Sequence, residues 1–109
     1  MIDPRLIPLR EIADLSRTQA TGRLEANKRA EAEIEDQIAA LRHVVTTGTL
    51  DAFQAGGGEA IWCKWRDQKI TLLNQQRARL RVAREALSQE AARAVARVQV
   101  LDRLIGSDG

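Results

Sequence analysis

Aromatic side chains are almost missing: two tryptophans, one phenylalanine and no tyrosine in 109 residues. Sheet domains draw on aromatic and β-branched residues, so this scarcity argues against a sheet. Proline occurs only as Pro4 and Pro8, which leaves the rest of the chain without a helix-breaking ring. Cysteine occurs once, as Cys63, so no internal disulfide can form. That cysteine has no C-x-x-C partner, and His43 is the lone histidine, so no zinc-ligand set is spelled out. No apolar run approaches 18 residues, which argues against a membrane-spanning helix. The stretch MIDPRLIPLREIADL has no basic segment leading into an apolar one, so no secretory signal is expected. A formal net charge of +2 is too small to mark a general nucleic-acid binder.

Catalytic chemistry is equally absent from the pattern. There is no paired acid and base, no nucleophile with a base beside it, and no metal set. The glycine run in AGGGEA lacks the G-x-x-x-x-G-K-[ST] spacing and a preceding strand, so it is not a phosphate loop. No enzyme activity, cofactor, metal or small-molecule ligand is expected.

What remains is rich in Ala, Arg, Leu, Glu and Gln, the composition of long helices. In the second half Leu73, Leu80, Leu87, Ala94 and Leu101 recur at every seventh position. A companion series holds Ile70, Ala91, Val98 and Ile105, interrupted by Arg77 and Arg84. This is a heptad with two core positions, and it predicts one helix over about 59–105, stopped by Gly106. In the first half Leu24, Ile34, Ile38, Leu41 and Val45 keep one stripe, with Asn27 and Glu31 inside it. Ile12 and Leu15 lie in another phase, which predicts a stutter near Gly22. Pro8 fits a first helical turn, so helix one is expected over about 9–47. Residues 48–58, GTLDAFQAGGG, form the connector.

Two long helices and a glycine-rich connector predict an all-α chain, folded as a single antiparallel coiled-coil hairpin. With the turn centred near Phe53, the acidic cluster Glu31, Glu33, Glu35 and Asp36 would lie opposite roughly residues 68–75, near Lys64, Arg66, Lys69, Arg77 and Arg79. Such a body has little core, and Ala91 and Ala94 thin it further.

Two groups of side chains are candidates for a partner-binding role. Phe53, Ile61, Trp62 and Trp65 gather every aromatic residue at the connector end. They read either as a cap over Leu41, Val44 and Val45 or as an anchor patch, since tryptophan is enriched in binding hot spots. Arg77, Arg79, Arg81 and Arg84 belong to a basic stretch, residues 60–84, which reads either as a solvated helix face or as a site for an acidic protein. Nucleic acid is the weaker choice there, because no aromatics beyond Trp65 interleave with the arginines.

The heptad leucines Leu73, Leu80, Leu87 and Leu101, the run LLNQQRARLRVARE (72–85) and the hairpin connector together resemble the FliJ family of the flagellar type III export apparatus, with its YscO-type counterparts. The resemblance implies a stalk inside the hexameric export ATPase that also contacts the export gate and substrate chaperones. It implies a cytoplasmic protein at the periphery of an inner-membrane export complex. Carried onto this chain, Leu6 to Leu24 and Ala83 to Leu104 would enter the ATPase ring, where Arg81, Arg84, Arg93 and Arg97 meet an acidic lining. Phe53, Ile61, Trp62 and Trp65 would touch the gate. A stalk is expected as a monomer or within a hetero-complex rather than as a homodimer. The alternative is a general coiled-coil adaptor or dimerisation protein, with nucleic acid as a conceivable partner.

Overall fold

The computed structural model describes residues 3–43 and 57–106, and these form two helices, α1 (Leu6–His43) and α2 (Gly58–Gly106). The chain is an all-α helical hairpin. The expected residues 44–56, Phe53 among them, lie outside the described part.

Helix α1 begins earlier than the position of Pro8 suggested. Asp3 supplies the start: its Oδ1 accepts the Arg5 N–H at 3.0 Å, and its carbonyl oxygen accepts the Leu6 N–H at 3.0 Å. Pro4 follows this cap, and Pro8 falls in the first turn, where the missing N–H has no partner to lose. Both prolines are therefore compatible with a start at Leu6. Arg42 and His43 occupy the last described turn of α1, where cations complement the helix dipole. Gly57, at φ 76°, takes the left-handed conformation just before α2, and Glu59 sits in the first turn of that helix.

Burial follows heptads on both helices. On α2 the covered residues are Leu73, Leu80, Leu87, Ala94 and Leu101, with Ile70, Arg77, Arg84, Ala91, Val98 and Ile105 between them. On α1 they are Leu6, Ala13, Ala20, Asn27, Ile34 and Leu41, with Arg10, Arg17, Leu24, Glu31 and Ile38 between them. This corrects the expected stutter near Gly22, because a single phase runs along the whole of α1. The seam positions there are filled by Ala13 and Ala20, while the larger Ile12 and Leu15 remain 63% and 66% exposed.

The chain divides into two compact units, 1–28 with 82–109, and 29–81. In the first, Ala20, Ala91 and Ala94 form the buried centre, with Leu24 packed against it. Antiparallel pairing there is marked by ion pairs from Arg10 to Asp102 at 2.9 Å and from Arg23 to Glu90 at 3.3 Å. The hydrogen bond that Arg10 Nε donates to Asp102 is the main reason the guanidinium is held above its usual pKa. In the second unit Ile38 and Leu73 are the buried aliphatics. Burying a methylene contributes about 0.8 kcal/mol, so a seam of alanines stabilises far less than one of leucines.

Leu72 and Leu73 are neighbours of identical chemistry in unit 29–81, one outside the seam and one within it, 55% and 3% exposed. Leu73→Ala is expected to cost about 2–4 kcal/mol, and Leu72→Ala under about 0.5 kcal/mol, read from urea unfolding. Equal midpoints would overturn the seam. Leu80→Asp and Leu87→Asp, each placing a charge at a half-buried seam position, are expected to abolish cooperative melting.

Candidate protein-docking site

Among the described residues of unit 29–81 one carboxylate is buried. Glu31 is 5% exposed at a seam position. Its Oε1 accepts a hydrogen bond from Arg81 Nε at 2.7 Å, and the same guanidinium reaches Glu35 Oε1 at 3.5 Å. The hydrogen bond to Glu31 is the first cause of the raised Arg81 pKa. The acidic cluster of α1 is thus answered by Arg81, six positions beyond Gln75, where a turn centred on Phe53 would have put the partner of Glu31. The expected register was short because the midpoint of the pair falls at residue 56 in the glycine run, and not at Phe53.

Arg81 therefore serves an internal contact rather than standing free for a partner. Arg84 is half-buried at a seam position. Only Arg93 and Arg97 of the expected basic face lie exposed side by side, both in unit 1–28 with 82–109.

At the start of α2, Ile61 is 74% and Trp65 52% exposed, while Trp62 is half-buried. The Arg66 guanidinium lies over the Trp62 ring, 5.3 Å from its centre, a cation–π contact that holds this indole in place. The tryptophan pair is thus split: Trp62 packs and Trp65 projects. Cys63 is a free thiol, half-buried beside them.

A feature that the heptads did not disclose lies in unit 1–28 with 82–109. Leu9, Ile12 and Ala13 of α1 and Val100 and Leu101 of α2 line an open apolar groove, with Arg93 and Arg97 at its edge. Among the described residues neither of these arginines has an acidic partner, whereas Arg10, Arg17 and Arg23 are all ion-paired. Ile12 carried the signal in the sequence, but as an apparent phase error in the stripe.

Among the described residues no group of three or more His, Cys, Asp or Glu side chains could hold a metal ion, and no helix is long and apolar enough to cross a membrane. No family model matches the chain, and no curated protein or solved structure matches it.

Arg81→Ala would remove the counter-charge that reaches the covered Glu31 carboxylate, and is expected to lower the urea midpoint. Adding Glu31→Leu is expected to restore the midpoint to at least the original value, because breaking a buried pair costs more than replacing both partners with apolar groups. A double variant weaker than Arg81→Ala alone would rule out this role for the pair.

Proposed function

We propose that the chain is a non-enzymatic coiled-coil hairpin that works by binding other proteins. One observation carries this reading: the seam mixes its leucines and isoleucines with Ala13, Ala20, Asn27, Glu31, Ala91 and Ala94, while further large aliphatic side chains, among them Leu9, Ile12, Leu15 and Val100, stay exposed. A two-helix body that leaves such side chains outside its seam has surface left for a third element.

Within that class, we propose a stalk of a flagellar or related type III export apparatus, acting against an export ATPase and contacting the export gate or chaperones. What supports it is the hairpin architecture together with the basic, leucine-repeated second helix. The assignment of Arg93 and Arg97 to the ATPase and of Ile61 and Trp65 to the gate belongs to the same proposal. A general adaptor that pairs with other coiled coils would share the architecture but recover different partners.

Affinity capture of the tagged chain from its native cells at moderate salt, read by mass spectrometry, tests both levels. Recovery of an export ATPase or gate component supports the stalk. Recovery of unrelated coiled-coil proteins retires the stalk and leaves an adaptor, and recovery of the bait alone removes the binding proposal. Trp62→Ala with Trp65→Ala is expected to remove one partner while circular dichroism stays largely helical. A large helix loss would make the pair a structural cap.

A further inference from the structure

We infer that the groove between α1 and α2 in unit 1–28 with 82–109 receives an amphipathic helix of another protein, whose apolar stripe is flanked by Asp or Glu. The inference rests on the protein-binding function proposed above, and names the site and the chemistry of its occupant.

The shape of the groove selects a helix. Leu9, Ile12 and Ser16 are spaced by three and four residues on α1, and Arg93, Arg97 and Val100 by four and three on α2. Such spacing places each set along one face of its helix, so two ridges run side by side with an apolar floor between them. A third helix laid along this channel meets Leu9, Ile12 and Val100 with its own apolar stripe, as in helix-in-groove recognition.

Charge selects which helix. Arg10 is engaged by Asp102, Arg17 by Asp14 and Arg23 by Glu90. Arg93 and Arg97 are exposed, one helical turn apart, and form no ion pair among the described residues; Glu90, which lines a neighbouring cleft with them, is held by Arg23. Two unanswered cations along one wall of an apolar channel favour an occupant with carboxylates beside its apolar stripe, and repel one with lysines there. A second copy of this chain is the poorer fit. Two-fold pairing brings the same patch of each copy together, and so sets these arginines against their own equivalents.

The test uses the full chain and two designed helical peptides that share a Leu/Ile stripe, one flanked by glutamates and the other by lysines. Fluorescence anisotropy with labelled peptides is expected to give about tenfold tighter binding of the glutamate peptide, the size two partly exposed ion pairs supply. That preference should shrink as salt rises. Arg93→Glu with Arg97→Glu is expected to reverse the preference, with helicity unchanged because neither side chain is covered. Ile12→Glu should weaken both peptides. Equal affinity for the two peptides, binding of neither, or an unreversed preference in the charge-swapped chain overturns the inference. So does sedimentation of the unliganded chain as a dimer that Ile12→Glu dissociates, because the occupant would then be a second copy. Captured partners that bind the charge-swapped chain equally well would refute the groove and leave the protein-binding function standing. Failure to capture any partner refutes that function itself.

Discussion

A carboxylate with 5% exposure has to keep a counter-charge within hydrogen-bond reach, and for Glu31 that counter-charge is Arg81. Much of unit 29–81 follows from this requirement. Leucine and isoleucine seams tolerate sliding by a heptad, since one aliphatic layer replaces another. A charged layer does not, because a slide leaves an ion buried among alkyl groups. With Arg81 opposite Glu31, Ile38 and Leu73 fall where they are most covered. The pair is a poor source of stability and a strong source of register.

The other unit pairs its helices through exposed ion pairs, Arg10 with Asp102 and Arg23 with Glu90, around an alanine centre. Ala20, Ala91 and Ala94 are the buried centre there, with Leu24 packed against them. The consequence is a seam with modest burial and a flank where Leu9, Ile12 and Val100 have no cover. The exposed apolar flank and the alanine centre have a common origin. The volume that a leucine seam would hide has moved to the outside of the same helices.

The second half of the chain was open to reading from its sequence because its seam is mostly leucine. Leu73, Leu80, Leu87 and Leu101 mark the phase, and Ala94 inherits it. The first half misled for the opposite reason. In α1 the large apolar residues Ile12 and Leu15 outweigh Ala13 and Ala20 in any reading by hydrophobicity, yet the alanines are the ones buried. Hydrophobicity measures what a side chain gains by burial, and not whether it fits between two close helices. The cap at Asp3 was missed because Pro8 drew the helix start toward itself. The register was missed because it was counted from Phe53, whereas the Glu31–Arg81 pair is centred three residues later. Of the candidate site, Arg93 and Arg97 could be named from sequence as basic residues, but their lack of partners and the groove beside them depend on α1, and so required the fold.

The placement of the two tryptophans has a further consequence for how this molecule can be observed. Trp62 and Trp65 both lie in unit 29–81, and the chain has no tyrosine. Intrinsic fluorescence therefore reports on that unit alone, while far-ultraviolet circular dichroism collects signal from helix in both. The protein carries a built-in local reporter and a global one. Coincident transitions would mark the two units as a single cooperative body, and separated ones would mark the alanine-centred unit and the ion-paired unit as independent folding elements.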